Sequence, residues 1–337
     1  MRAHVDPLDP GETMKAYRRS GYGPPESLEL VELPVPEPVE DEVLVAIRAT
    51  SVNMGDLDYL FGRPWLARLG TGLRSPRHRL LGLDVAGVVH AVGRLASRFR
   101  VGDEVFGDLT RFGYGAFAEY ALAREKAFAS KPASMTFEQA ATLPQAAIMA
   151  LQGLSAKRPI QPGDHVLVHG ASGNVGPFAV QIAKAYGAEV TGVCSAAKMD
   201  LVRSIGADHV IDYAREDVTR GGARYDRILD VHARHSILAY RRALRRRGVY
   251  VCLGGTMATV IESITLGLLI TLVDSRSMGL LLSWRPFALD DVATLIDLVE
   301  RGAVTPIIDR TYPFEELIAA LRYVEDGHGR GKVVISV

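Results

Sequence analysis

Between Asp41 and Asn53 the chain reads DEVLVAIRATSVN, an alternation of apolar and polar positions rich in β-branched residues, which predicts a half-buried strand. LLGLDVAGVVHAVG from Leu80, VGDEVFG from Val101 and GAFAEYALA from Gly115 continue the theme, with glycines at the expected bends. Many short strands joined by glycine turns predict a compact, barrel-like β domain. The period changes near Ser134. SMTFEQAATLPQAAIMALQGL has helical spacing, with Ser134 as N-cap and a glutamate in its first turn.

Strands and helices then alternate. HVLVHG, EVTGVC, HVIDY, YDRILDV and VYVCLGG are expected strands. NVGPFAVQIAKAYG, AAKMDLVRSIG and SILAYRRALRRRG are expected helices, the first ended by Gly187. Such alternation predicts a right-handed parallel sheet with helices on both faces. After Trp284 come a helix, LDDVATLIDLVERG, a mixed segment and a last strand, KVVISV. The tail is expected to return to the β domain. The organisation is thus a flexible leader over 1–13, a β domain over 14–134 plus 286–337, and an inserted doubly wound domain over 135–285.

Composition narrows the function classes. The 337 residues suffice for two full cores, and 48% apolar with 23% charged residues suits a globular chain. Lysine plus arginine equals aspartate plus glutamate, 39 each, so no global field points to nucleic acid or a membrane surface. The greasiest run, ITLGLLITLV from Ile264, lies between Glu262 and Asp274 and is too short to span a bilayer. Two cysteines, Cys194 and Cys252, exclude a disulfide scaffold and a four-cysteine zinc lobe, and are expected to be buried strand residues. No secretory signal opens the chain, so a cytoplasmic location is expected.

The candidate chemistry lies in LVHGASGNVG. Gly170, Gly173 and Gly176 follow a strand and open a helix, the context of a dinucleotide-binding turn. The spacing differs from the commoner G-x-G-x-x-G, and Asn174 is expected to be left-handed or already in helical geometry. Gly170, Ala171, Ser172, Gly173, Asn174, Val175 and Gly176 would cradle the phosphates at the positive end of the helix. A plain strand-to-helix turn is the other reading of the motif, and the surrounding alternation favours the dinucleotide. At the end of the next strand, where an NAD site carries a carboxylate, the chain has Cys194, Ser195 and Lys198. Ser195 can donate a hydrogen bond and Lys198 a charge-assisted one to a 2′-phosphate, which favours NADPH. Ser195 as helix cap and Lys198 as solvated surface is the alternative. Tyr213 would close the adenosine pocket or be an ordinary half-buried tyrosine.

These residues together resemble the medium-chain dehydrogenase/reductase superfamily, in its zinc-independent quinone oxidoreductase-like branch with zeta-crystallin and the enoyl reductases. SVNMGD, LGLDVAGVVHAVG, GDEVFG, GAFAEY, GASGNVG, SAAK, HVIDY and GRGKVVISV stand in the expected order from Met14 onward. The resemblance implies an α/β fold: a GroES-like β-barrel catalytic domain with an inserted Rossmann domain. It implies NADPH as cofactor, with Leu253, Gly254 and Gly255 lining the nicotinamide ribose and Lys332 reaching the cofactor or covering the site. It also implies a homodimer joined along an edge strand, here DSRSMGLLLSW.

Zinc-dependent relatives place ligands where this chain has Asn53, Leu83 with Asp84, and Gln145. None is cysteine or histidine, so no catalytic zinc is expected. Met149 stands where quinone reductases usually carry threonine, and Asp58 and Leu60 where they often carry tyrosine and arginine. The expected reaction is hydride transfer from NADPH to a quinone or an α,β-unsaturated carbonyl. Asn53 would stabilise the developing oxyanion or, on the other reading, only hold the loop together with Asp56. Asp56 would hold the loop, and Tyr59, adjacent, would point elsewhere if its segment is a strand. A specialised biosynthetic reductase or cyclase, and an NADPH-binding protein with little turnover, are the alternatives.

Overall fold

The computed structural model describes residues 11–220 and 224–337. The leader expected over 1–13 falls outside these residues up to position 10. What is described of it belongs to the fold: β1 (Thr13–Arg19) begins at Thr13, and the Glu12 carbonyl accepts the Val35 N–H at 3.0 Å.

In chain order, β1 pairs antiparallel with β2 (Leu28–Pro34) as a separate ribbon. β3 (Glu42–Val52) is the long alternating segment, flanked by β4 (Asp84–Val92) and β6 (Tyr120–Arg124). β4 continues into β5 (Glu104–Asp108), and β5 into β7 (Phe128–Ser130). β8 (His165–His169), β9 (Glu189–Cys194), β10 (His209–Asp212), β11 (Tyr225–Asp230), β12 (Leu244–Cys252) and β13 (Ser277–Leu280) follow. They form one parallel sheet in the order β10-β9-β8-β11-β12-β13. This order reverses direction between β8 and β11, the doubly wound switch point. β14 (Ile308–Pro313) and β15 (Lys332–Ser336) close the first sheet, β15 pairing with β3.

The chain divides into two compact units. The first holds residues up to Gln145, Pro286–Val292 and Ile308–Val337; the second holds Ala146–Arg285 and Ala293–Ile307. The first division thus falls eleven positions beyond the expected Ser134. The reason is that the expected single helix from Ser134 is two. Thr136, not Ser134, caps the helix Phe137–Ala140, through a capping box with Gln139. That helix packs on β3 and β4. Pro144 then separates it from the helix Ala146–Ser155, because proline has no N–H to continue the ladder. Residues 293–307 go with the second unit, where the Gln181 amide bonds both the N–H and the carbonyl of Thr305 at 2.9 Å.

In the second unit the helices after β8 and β9 end before Gly187 and Gly206. The helix Ile237–Ala243 is shorter than its sequence suggested, because Leu244 already pairs with Tyr225 and takes the arginine run into β12. One core cluster lies over β8, β11 and β12, around Leu167, Ile228, Tyr240 and Tyr250. Arg227 is fully buried, and its guanidinium donates to the carbonyls of Gly153 at 3.3 Å and Ala156 at 3.0 Å. It thereby satisfies carbonyls that the end of the Ala146–Ser155 helix would otherwise leave unpaired.

Candidate active site

β8 stops at His169 and the backbone turns at Gly170, whose φ of +87° only glycine adopts without strain. The N–H groups of Gly170 and Ala171 both donate to the Val193 carbonyl, at 3.1 and 2.9 Å, which pins the turn against β9. A Cβ on Gly176 would lie 2.2 Å from the Gly170 carbonyl oxygen, so close packing of helix on turn requires glycine there. Gly173 differs: a Cβ would meet nothing nearer than 3.6 Å. Neither packing nor a left-handed backbone demands glycine at 173, and what the residue leaves is bare backbone at the turn. Gly254, after β12, shows the same openness, with nothing closer than 4.0 Å. Ala171, Ser172 and Val175 are buried beneath the turn. Asn174 is not among the positive-φ residues, so its left-handed alternative is excluded. The helix begins at Gly176, with Pro177 in its first turn and Val175 as N-cap. Valine offers no side-chain oxygen to cap it, so this N-terminus keeps its positive end for an anion. These features fit a dinucleotide phosphate. Leu253 continues from β12 by donating its N–H to the Asp230 carbonyl at 2.9 Å, and Gly254 accepts from Ala233 at 3.1 Å; Gly255 follows.

At the end of β9, Ser195 is extended and precedes a short 3-10 turn, Ala196–Lys198. Its carbonyl accepts the Lys198 N–H at 2.9 Å, but its hydroxyl makes no cap bond. The capping alternative for the Ser195 side chain therefore does not hold. Tyr213 follows β10, its N–H on the Cys194 carbonyl at 3.2 Å and its side chain 44% exposed. The Arg234 guanidinium lies over its ring, 5.0 Å from the centroid. Asp212, the nearby carboxylate, accepts the Ala214 N–H at 3.1 Å and faces Arg215 at 3.6 Å. Arg234 went unnoticed in the sequence because VHARHS after β11 carries no pattern beyond that of a loop.

Beneath the glycine turn lies a buried polar network that the sequence did not announce. His169 Nδ1 is 3.0 Å from Asp230 Oδ1 and 2.7 Å from the Tyr240 hydroxyl, and the Tyr250 hydroxyl donates to Asp230 Oδ2 at 3.0 Å. Burial first, then the Asp230 charge, pushes both phenols well above their ordinary value. His169 thus packs beside the turn, held by Asp230 and Tyr240. Cys194 and Cys252 are buried free thiols, raised to about 11 chiefly by burial.

The first unit holds a second polar cluster. The segment of Tyr59 is a helix, Met54–Phe61, not a strand, and it starts at Asn53 with a capping box: Asn53 N–H donates to Asp56 Oδ2 at 2.8 Å. The Asn53 amide donates to Asp84 Oδ2 at 2.9 Å and its Oδ1 accepts from the Lys332 ammonium at 2.6 Å. Lys332 also pairs with Asp84 at 3.3 Å, and Ser51 donates to the same oxygen at 2.8 Å. Asn53, Asp56, Asp84, Asp108 and Lys332 are all at most 1% exposed. Burial, reinforced by the Asp84 charge, raises Asp108 to about 7. For Asp56, burial outweighs the Asn53 hydrogen bond and carries the group to about 8. Burial lowers Lys332, against the pull of Asp84 and Asp56. The expected cofactor contact of Lys332 meets this fact: its ammonium is turned inward, onto Asn53 and Asp84. Gln145 lies beside Gly55 and reaches Thr110 at 3.5 Å. The structure therefore gathers Asn53, Asp84 and Gln145 in one region, with a lysine cation among them. Tyr59 is half-buried, its ring 4.8 Å from that of Tyr114. Its carbonyl accepts from the buried Arg19, which also donates to the His78 carbonyl at 3.0 Å.

Comparison with known proteins agrees with this architecture. The alcohol dehydrogenase GroES-like domain family matches residues 39–133, and the zinc-binding dehydrogenase family matches 205–335. The mouse mitochondrial "NAD(P)H oxidoreductase RTN4IP1" is 33% identical, covering 88% of this chain and 82% of its own. The Arabidopsis thaliana chloroplastic "NADPH-dependent alkenal/one oxidoreductase" is 32% identical over 96% of this chain and 79% of its own. The structure of the quinone oxidoreductase from Coxiella burnetii superposes with a TM-score of 0.83 at 30% identity, covering 97% of this chain and all of that one. No helix among the described residues is long and apolar enough to cross a membrane. The GroES-like sheet, the doubly wound sheet with its glycine turn, and these relatives together establish that the chain is an oxidoreductase of the medium-chain dehydrogenase/reductase family that uses a nicotinamide cofactor.

Proposed function

We propose that the chain is an NADPH-dependent, zinc-independent reductase that delivers hydride to a quinone or an α,β-unsaturated carbonyl. The observation that carries the reading is the Lys332 cation sitting with Asn53 and Asp84, where metal-dependent relatives hold zinc. Amide and ammonium both hydrogen-bond to Asp84 Oδ2, and an ammonium repels a metal cation. Among the described residues no three His, Cys, Asp or Glu side chains are gathered as metal ligands. Without a Lewis acid, an already electrophilic acceptor is the easier substrate.

Bound NADPH supplies the hydride. The residues of the chain do the rest. Gly170 to Gly176 take the pyrophosphate on bare backbone and an uncapped helix end. Ser195 and Lys198 face the 2′-phosphate, with no carboxylate at the end of β9 to repel it. Asn53 is enclosed and commits its amide to Asp84, so we assign it a positioning role rather than the oxyanion contact first expected. Asp56 holds the helix start, and Tyr59 is the acceptor-side candidate that stays partly open.

The proposal includes a homodimer. β13 is an edge strand, and Leu268, Leu272, Val273 and Leu282 expose 59 to 86% of their surface beside it. An unpaired edge next to exposed leucines is suited to a second copy. It includes also a cytoplasmic location, which buried free cysteines suit as they suit any reducing compartment. The two curated relatives carry organelle names, and cell fractionation decides.

The test is loss of NADPH absorbance with phenanthrenequinone and with methyl vinyl ketone, before and after chelation, beside metal analysis. Turnover of either acceptor by metal-free protein is expected. Stoichiometric zinc whose removal abolishes turnover overturns the proposal, as does the absence of turnover with both acceptors.

A further inference from the structure

At the end of the second unit opposite its glycine turn stands a cluster of arginines. RRALRRR over 241–247 carries five in seven positions, in a chain whose charges balance overall. Two helices, Ile237–Ala243 and Met257–Val273, run side by side in the same direction and deliver them to one corner. The Ile237 N–H bonds Glu262 at 3.2 Å toward their starts, and Arg241 pairs with Asp274 at 2.7 Å at their ends. Arg276 shares Asp274 at 3.1 Å and donates to the Leu244 carbonyl at 3.0 Å, which ties the start of β12 to the same corner.

There the arginine run leaves the sheet ladder. Leu244 pairs with Tyr225 and Val249 with Arg227, so Arg245, Arg246, Arg247 and Gly248 stand opposite Asp226 alone. They fold into a tight turn, in which Arg247 takes a φ of +60° and a Cβ on Gly248 would lie 2.9 Å from the Arg245 oxygen. A left-handed arginine is an uncommon use of a position that favours glycine. The turn holds Arg246 and Arg247 out at its tip, both exposed.

The acids of this corner are already engaged. Asp274 is shared by Arg241 and Arg276, and Asp226 takes Arg245 at 2.7 Å and the His165 N–H at 3.0 Å. Arg242, Arg246 and Arg247 face no acid among the described residues. Beside them the last turns of the Met257–Val273 helix present apolar side chains to solvent: Leu269 is 56% and Val273 86% exposed. No charged residue lies between Glu262 and Asp274. A nucleic acid would use the arginines and leave these side chains in water. An anionic bilayer uses both. Guanidinium forks take lipid phosphates, and apolar side chains enter the boundary between headgroups and acyl chains.

We infer that this corner is a docking surface for an anionic lipid bilayer, with Arg242, Arg246 and Arg247 on the lipid phosphates and Leu269 and Val273 in the headgroup layer. It lies at the amino ends of β11 and β12, whereas a doubly wound sheet binds its dinucleotide at the carboxyl ends. Docking therefore leaves the glycine turn free. Leu268 and Leu282, beside the edge of β13, take no part and stay available to a second copy.

Co-sedimentation of the intact protein with vesicles tests it. Vesicles of phosphatidylcholine and phosphatidylglycerol in equal parts are expected to bind it at least about tenfold more tightly than phosphatidylcholine alone, and added salt should weaken the binding. Arg242→Gln, Arg246→Gln and Arg247→Gln together should cost at least about tenfold. Leu269→Ser with Val273→Ser should cost at least about fivefold on the same vesicles and leave any affinity for duplex DNA unchanged. Leu282→Ser, outside the corner, should change neither. Circular dichroism checks that each variant is folded. Equal binding to both vesicle types, or wild-type binding by the triple arginine variant, overturns the proposal. So does wild-type vesicle binding by the double serine variant, which would make the corner an anion surface of the kind a nucleic acid uses. An equal loss in Leu282→Ser would trace the effect to the assembly of two copies and likewise overturn it.

Discussion

Replacing Asp56 by asparagine should change how the stability of the protein depends on pH. Asp56 Oδ2 accepts the Asn53 N–H at 2.8 Å, while Oδ1 is buried without a hydrogen-bond partner. Burial is the main reason that its pKa rises from 3.8 to about 8, and the Asp84 charge adds to it. The unfolded chain releases this proton near 3.8, whereas the folded chain keeps it to about 8. Between those values the folded state binds more protons, so stability is fully present below the unfolded pKa and falls as pH rises. The slope for one such group is about 1.4 kcal/mol per pH unit. The amide of Asp56→Asn would mimic the protonated acid, keeping an oxygen for the Asn53 N–H, and it does not titrate. From pH 5 to pH 7 the variant should therefore gain about 2.8 kcal/mol on wild type, two units at that slope. Asp108, raised to about 7, titrates in both proteins and cancels. Urea unfolding followed by circular dichroism at pH 5, 6 and 7 gives the difference. A difference that stays constant to within about 0.5 kcal/mol would show that Asp56 is charged in the folded protein, and the burial argument would fail.

Further outcomes rest on other parts of the structure. Lys332→Met leaves Asp84 as an uncompensated buried charge and should cost about 3–5 kcal/mol of stability. The double variant Lys332→Met with Asp84→Asn should cost less than the sum of the singles, read from urea midpoints. Gly176→Ala should disrupt folding of the second unit, since its Cβ falls 2.2 Å from the Gly170 oxygen. Gly173→Ala has room, at 3.6 Å, and should keep its melting temperature while weakening NADPH at least tenfold, about 1.4 kcal/mol, by fluorescence titration. Leu272→Asp, at a side chain 71% exposed, should leave the fold intact and, if the proposed homodimer forms along β13, shift it to monomer in analytical ultracentrifugation.

The parallel half of the fold was legible because its signals are local. A strand such as HVLVHG is an apolar run closed by glycine, and a helix such as GPFAVQIAKA is a 3.6-residue stripe closed before Gly187. Each is set within its own few residues. The misplaced boundaries are those where a distant partner decides. Leu244 leaves its helix because Tyr225 offers it a strand, and Thr136 displaces Ser134 as cap because only Thr136 has Gln139 three positions on. The glycine turn was likewise readable, since strand, turn and helix are contiguous.

The polar cluster of the first unit was only half readable, and the reason is chemical. A sequence shows which ligand types are missing at Asn53, Asp84 and Gln145, but absence does not say what fills the space. Lys332 lies 248 positions from Asp84 and carries no signal of its own; on sequence grounds a lysine near a chain end belongs at the surface. Its burial follows from the register of β15 against β3. Val333 pairs with Val52, which sets Lys332 opposite the start of the Met54–Phe61 helix, and β4 brings Asp84 to the same end because Ser51 pairs with Asp84. Once three strands place a carboxylate, an amide and an ammonium together, removing any one exposes the others to desolvation without compensation. This cluster therefore constrains sequence as a metal would, by charge balance rather than by coordination. Burial first, and then the Asp84 charge, holds Asp56 and Asp108 above their ordinary values, while Asp84 keeps Lys332 as its partner.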